Sequence, residues 1–410
     1  MKNIYLNEMS NFLLFIPEIY LFIIIFLVFI FSTINSLSSV TRFPNISNSV
    51  IYTIIIGLLY TIILFFNNTI YNYDISLLCK THSNIFFSVL FILLSIVIFI
   101  LGISYNKVNN ISSLEYLIFI LISLGSLIIF LNLVNVIFIY ILLELQNILI
   151  SILISIKKSN RYCIEASIKY FILGSFSSLI FLYGFSLLYG STGFISINEI
   201  NLFFNCIDLI DNSIVISAIK TSIIFILIGM LFKIYSAPFH FRVSDIYEGS
   251  PTSVLIFISS IQSLFMMLLF IKFHYYIFIE FTELKNVILS IVSILTLFFG
   301  SIGALSQRKL KKLIGYSAVT VNGFFLFPLI NNNILLLEAS LMYSIIYIIT
   351  ILLLFAILLN VFINNSHSLV KLSDLYNIYK YNKFTSLILI FLLFSVSGLP
   401  PFLGFFGKLF

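Results

Sequence analysis

Twelve long apolar runs joined by short loops constrain this chain more than any other feature. They fall at about 12–34, 49–66, 84–104, 114–131, 133–156, 164–190, 214–236, 251–274, 285–306, 312–330, 337–363 and 384–410. Crossing a bilayer core takes about 20 apolar residues of helix. Backbone in hydrocarbon must satisfy its own hydrogen bonds, so such runs are helices. Hydrophobic residues fill 61% of the 410 positions and charged residues 9%, where soluble domains carry about 25% charged. No linker, low-complexity tail or soluble domain interrupts the pattern. The fold class that follows is an all-α polytopic membrane protein, a bundle of about 12 transmembrane helices.

The loop charges test that count. Loops after the odd-numbered runs carry Arg42, Lys107, Lys157, Lys158, Arg161, Arg242, Arg308, Lys309, Lys311, Lys312, Lys371, Lys380 and Lys383. The opposite loops carry Lys80, Lys272 and Lys285, together with Asp74, Glu199, Asp208, Asp211, Glu280 and Glu283. This is a positive-inside distribution, which one miscounted helix would scramble. The basic side faces the cytosol or, in a mitochondrion, the matrix. The net charge of +6 is therefore topological and not a nucleic-acid surface. Pro17 and Glu18 interrupt the first run early, which suits a retained first helix rather than a cleaved signal. Abundant Phe, Tyr, Ile, Asn and Lys without Trp suits AT-rich codons and an organellar genome. Cys79, Cys163 and Cys206 lie far apart and the histidines are dispersed, which argues against a metal or redox centre in this chain.

Charges inside the runs are the next signal, because each costs about 2.5–3.5 kcal/mol at mid-bilayer. Glu144 is central in its run. It reads either as a structural interhelical hydrogen bonder or as a protonatable, ion-pairing carboxylate. Lys233 precedes Pro238, which cannot complete a helix. The helix is expected to break beside the lysine, with freed carbonyls and water solvating its ammonium; the alternative is snorkelling to the basic side. Lys169, four residues after Glu165, suits a helical ion pair, either buried or at the interface. Lys220 reads as a snorkeller. Lys408 ends the stretch SVSGLPPFLGFFGKLF, where Pro400 and Pro401 stop any regular helix; a lysine near a span end is the alternative there. The seventh and twelfth runs thus share a design of apolar helix, proline break and nearby lysine. They are five spans apart, so the second copy is inverted, and paired broken helices in inverted repeats mark ion paths. A lysine in a low-dielectric site loses proton affinity, which a nearby carboxylate restores. Making and breaking a Lys233–Glu144 pair would load and eject a proton, whereas a sodium site would want oxygen ligands. His240, Arg242, Asp245 and Glu248 form the polar return to the basic side.

The stretches ELQNILISIL, EASIKYFILGSFSSLIFLYGFSLLYGSTG, FKIYSAPFHFRVSDIYEGSPT, GSIGALSQRKLKKLIGYSAVTVNGFFLF and SGLPPFLGFFGKL carry a family likeness. In order and spacing they resemble the antiporter-like N subunits (chain 2) of proton-translocating NADH:ubiquinone oxidoreductase, respiratory complex I. The likeness runs from about residue 130 to 410. It implies an antiporter-like fold with two inverted five-helix repeats, broken at helices 7 and 12. It implies three N-terminal helices over 1–110, a first repeat over 111–275, and a second, incomplete repeat over 285–410. By position, Glu144 matches the family's helix-5 glutamate, Lys233 the helix-7 lysine that pairs with it, Lys169 a helix-6 lysine, and Lys408 the helix-12 lysine. His240 lies in the PFH block and joins Ser263 as a candidate on the proton path.

The resemblance implies a subunit of an H+-translocating NADH:ubiquinone reductase, with no redox chemistry in this chain. NAD, FMN, iron–sulfur clusters and ubiquinone are expected on other subunits. The expected partners are complex I membrane-arm subunits, antiporter-like siblings among them, and lipids; the expected membrane is the mitochondrial inner membrane, or a bacterial plasma membrane. The chain departs from the family pattern in three places. The family's helix-8 lysine position is Ser263 here, beside Gln262, so the relay is either carried by water or weakened. Arg242 stands where the family has tryptophan. The family also continues past the position of Phe410, so the expectation is a second polypeptide supplying further helices, or a truncated sequence. The rival readings are a scaffold subunit with an impaired proton path and a subunit of a multi-protein sodium/proton antiporter.

Overall fold

A computed structural model describes residues 15–36, 48–67, 73–74, 79–109, 111, 113–157, 159–206, 213–331, 333–365, 371–375, 379 and 382–409. Arg42, Lys158, Asp208, Asp211, Lys380 and Phe410, used above to read topology and extent, lie outside the described residues. Each of the twelve apolar runs forms a helix. Among the described residues, ten helices are long and apolar enough to cross a membrane, and two shorter apolar helices cover Ile16–Phe31 and Lys383–Ser397. A two-residue strand pair, Tyr73–Asp74 with Cys79–Lys80, is the one regular β-structure among the described residues.

The chain divides into two compact units, 1–157 and 158–410. The first contains α1 (Ile16–Ser36), α2 (Asn48–Asn67), α3 (His82–Val108), α4 (Ser113–Asn132) and α5 (Val136–Ile154). Side-chain caps set the helix starts: Thr81 accepts from the Asn84 amide and Asn135 from that of Ile137, each satisfying an orphan donor. Glu18 does not interrupt the first helix. It lies in the first turn of α1 and pairs with Lys80 at 3.0 Å, the two side chains being 6% and 3% exposed. Asn132 of α4 also donates to Glu18, and the Lys80 ammonium faces the Phe15 and Phe65 rings. Lys80 is therefore a buried tie between helices and not a loop cation.

The second unit contains α6 (Arg161–Thr192), a short α7 (Ile197–Asn205), α8 (Ser213–Ile234) and α9 (Phe241–Gly249). There follow the span α10 (Thr252–Phe278), α11 (Thr282–Leu305), α12 (Leu310–Leu326), α13 (Ile334–Asn365), α14 (Lys383–Ser397) and α15 (Leu403–Leu409). The helices α6 and α8 approach closely through glycines: a Cβ on Gly184 would meet Ile226 at 2.8 Å, and one on Gly229 would meet Phe181 at 2.9 Å. Association in lipid depends on such close packing rather than on hydrophobicity. The span α10 is the buried axis of this unit, with 89% of its apolar window inside the protein. It is not uniformly α-helical, since π-helical turns interrupt it at Ile258–Gln262 and His274–Phe278.

Candidate functional site

The seventh apolar run breaks where the sequence predicts. The helix α8 ends at Ile234, one residue past Lys233, and Tyr235 takes a left-handed backbone (φ 64) before the Ala237–Pro238 peptide. The carbonyls at the break receive other donors. The Ser236 hydroxyl donates to the Leu231 carbonyl at 2.9 Å, the Arg242 guanidinium to the Phe232 carbonyl at 2.8 Å, and the Asn322 amide to that of Ile234. Arg242 is 4% exposed, with its guanidinium 4.7 Å from the Tyr235 ring and 5.6 Å from the Tyr170 ring. This corrects its placement among the basic loop charges: it is an interior brace. An unpaired backbone acceptor in a dry site costs about 1–3 kcal/mol, which explains why the break recruits these donors.

Lys233 itself is 7% exposed. It lines a cavity with Tyr235, Tyr247, Gln262, Ser263, Asn322 and Tyr347. The cavity offers about 20 Å³ of room for water, and one water needs about 10–15 Å³. Gln262 is 2% exposed, and neither its amide oxygen nor its nitrogen has a hydrogen-bond partner among the described residues. A buried amide in that state calls for water. The neighbouring Ser263 hydroxyl instead donates to the carbonyls of Ser259 at 2.6 Å and Ser260 at 3.0 Å, within the π-helical turn. The polar group offered to the cavity by α10 is thus Gln262 more than Ser263.

The twelfth run breaks after Ser397, and there the lysine does serve the freed carbonyls. Lys408 of α15 donates to the carbonyls of Val396 at 2.9 Å and Ser397 at 3.0 Å, and its ammonium lies 5.1 Å from the Phe324 ring. Gly398 closes α14 with φ 81, and a Cβ there would press on the Lys408 side chain at 2.8 Å.

The other candidate positions separate. Lys169 is 40% exposed and bridges Glu165 at 2.6 Å and Asp245 at 2.7 Å. It lines an open cavity of about 200 Å³ with Tyr162, Glu248 and Lys312. Glu248 receives Lys312 at 2.8 Å and also Lys309. Burial works to raise the Glu248 pKa, but the two lysines outweigh it and hold the carboxyl below its ordinary value. His240 stacks on Phe241 and Phe299. Burial lowers its pKa, partly offset by a hydrogen bond to the Pro238 backbone. Glu144 is half-buried in α5. It belongs to the first unit and Lys233 to the second, so their pairing stays an expectation of the sequence. Reading the sequence did not assign Gln262 and Asn322 to the site, because it followed charged residues inside the runs and passed over neutral amides.

A family profile described as NADH:quinone oxidoreductase/Mrp antiporter, TM, matches residues 133–410. The NADH-quinone oxidoreductase subunit N of Pelagibacter ubique is 33% identical over 88% of this chain and 76% of its own length. The chain belongs to the NADH:quinone oxidoreductase/Mrp antiporter family of membrane subunits. Within the family it is also similar to NADH-ubiquinone oxidoreductase chain 2 of Marchantia polymorpha, at 29% identity over 97% of this chain and 81% of that one. Its fold matches a chain of respiratory complex I from Thermus thermophilus with a TM-score of 0.73 at 20% identity, covering 96% of this chain and 81% of the other. The antiporter-like, multi-pass architecture read from the sequence is therefore the fold of this chain, and it includes both broken helices.

Proposed function

We propose that the chain is a proton-translocating membrane-arm subunit of respiratory complex I, in which Lys233, Glu144, Lys408 and Lys169 carry protons and His240 and Ser263 border the path. The observation that carries this reading is a buried lysine at a helix break facing a water-sized cavity with an unbonded amide, Gln262. An ammonium beside low-dielectric walls and one confined water changes its proton affinity with small changes in its surroundings. The carbonyls at the break are held by Ser236, Arg242 and Asn322, so the break has its own donors.

The chain performs no redox chemistry in this reading. NAD, FMN, iron–sulfur clusters and ubiquinone belong to other subunits, and the partners are antiporter-like siblings of the membrane arm. The three-part division at 1–110, 111–275 and 285–410 and the mitochondrial inner membrane are likewise proposals. They are supported by the residue matches of the two broken spans and by the likeness to chain 2 of Marchantia polymorpha. One observation favours a scaffold reading instead: Ser263, at the position of the family's helix-8 lysine, spends its hydroxyl on its own helix.

The test is protons moved per NADH oxidised by the assembled complex in sealed vesicles. Lys233→Ala and Glu144→Gln are each expected to lower that ratio while leaving NADH oxidation in uncoupled vesicles intact. Gln262→Leu, which fills the cavity with an apolar side chain, is expected to lower it too. An unchanged ratio in all three would establish the scaffold reading.

A further inference from the structure

The acidic-side end of α10 holds a pair of basic side chains that topology alone assigns to nothing. His274 is 1% exposed and Lys285 of α11 is 0% exposed. Their Nε2 and Nζ atoms are 3.1 Å apart. The same Nε2 lies 2.9 Å from the carbonyl oxygen of Leu329, in the 3-10 turn Pro328–Ile330 that follows α12. Phe270, Phe273, Ile277, Phe278 and Leu329, all 0% exposed, enclose this end of the span. Lys285 was counted from the sequence as a loop cation, and its burial removes it from that tally.

One nitrogen cannot serve both neighbours in a single protonation state. When Lys285 is an ammonium, it donates to an Nε2 lone pair, and the imidazole proton is on Nδ1. When Nε2 carries a proton, it donates to the Leu329 carbonyl, and Lys285 faces it as a neutral amine. The two states differ by the position of one proton. An N–H bond breaks at Lys285 Nζ, one forms at His274 Nε2, and the pair keeps a single positive charge throughout. Two cations in one dry site would repel strongly, so a second proton is not held. His274 Nδ1 has no hydrogen-bond partner among the described residues.

A second observation points the same way. His274 opens the π-helical turn His274–Phe278, and Gln262 closes the other such turn of the same span. Single π-helical turns within α-helices concentrate at functional sites. Twelve residues separate the two positions, or about 18 Å of helix. One buried rod therefore carries the Lys233 cavity at its middle and a titratable pair near its acidic-side end. The carboxylates on the elements around that end, Glu199, Glu280, Glu283 and Glu338, are exposed, and Lys272, Tyr275 and Tyr276 are the other ionisable groups on α10 nearby.

We propose that His274 and Lys285 form a proton station holding one excess proton between the Lys233 cavity and the acidic side of the membrane. The station supplies α10 with an ionisable group, which the sequence at Ser263 lacks. This inference rests on the proton-translocating reading above, and its test separates the two.

The assembled complex in sealed vesicles is assayed for protons moved per NADH oxidised, for NADH oxidation with the gradient dissipated, and for the amount of complex assembled. His274→Gln keeps a donor for the Leu329 carbonyl and an acceptor for Lys285 but cannot take up a proton. Lys285→Arg keeps the charge but cannot release one. Both are expected to lower the proton ratio by the same fraction as Lys233→Ala, with assembly and dissipated-gradient oxidation unchanged. The double variant His274→Gln with Lys233→Ala is expected to lose no more than either alone, since both lie on one path. A normal ratio in His274→Gln and Lys285→Arg beside a lowered ratio in Lys233→Ala overturns the station and leaves the translocating function standing. A normal ratio with reduced assembly shows a structural brace and overturns it equally. A normal ratio in Lys233→Ala removes the function, and the station with it.

Discussion

At the first break, Ser236, Arg242 and Asn322 donate to the carbonyls of Leu231, Phe232 and Ile234, and Lys233 lines the cavity. At the second break, Lys408 takes the freed carbonyls itself, at 2.9 Å and 3.0 Å. The sequence pattern is the same in both: apolar helix, proline, lysine nearby. The difference lies in which donors the surrounding fold delivers. At the first break a guanidinium and an amide reach the carbonyls. At the second the lysine itself acts as a helix cap. A proline break therefore does not by itself make a proton site; what it makes depends on the other donors present.

The largest expected effect comes from removing each lysine in turn. Lys233→Ala should abolish this chain's share of proton pumping with little change in thermal midpoint. Lys408→Ala should reduce pumping and also destabilise the protein by about 1–3 kcal/mol, because two carbonyls lose a charged donor. Vesicle pumping assays paired with thermal unfolding of the purified complex read both. Equal destabilisation by the two variants would break the comparison.

Arg242→Met should loosen the first break. It removes a charged hydrogen bond and stacking on Tyr235, a loss of about 2–3 kcal/mol, while the Phe232 carbonyl keeps the Tyr235 amide. Pumping should fall as Tyr235 and the cavity wall shift, and a structure of the variant would show the displacement. Gly398→Ala should cost about 1–2 kcal/mol for its left-handed backbone and displace Lys408, leaving the first break untouched. Thermal unfolding together with the local structure checks both points.

The smallest effect concerns the basic rim. Lys309 and Lys312 hold the Glu248 pKa below 4.5. The stabilisation from this cluster is present above the unfolded-state value and is lost as pH falls through the depressed one. Acid titration of stability should show this loss, and Glu248→Gln should flatten that part of the curve.

Much of the fold is legible without coordinates. The twelve runs are visible because a bilayer demands a fixed length of apolar helix, and the helices match them within a few residues. The breaks at Pro238 and Pro400 are visible because proline lacks a donor. The short amphipathic α7 is not visible, since nine residues between spans give too little periodicity. Loop cations are misread for the same reason that the topology is read well. Counting charge by loop ignores whether a side chain turns inward, as Lys80, Arg242 and Lys285 do.

The sequence by itself determined that this chain spans a membrane, which side is basic, and that two helices break beside lysines. Those properties follow from local solvation costs, which each residue carries wherever it is placed. Only the tertiary structure decided that Arg242 and Asn322 reach the carbonyls at the first break, that Gln262 is the amide offered to the cavity, and that His274 meets Lys285. Hydrogen bonds act over about 3 Å, and residues 10 to 88 positions apart in the chain come that close only through packing.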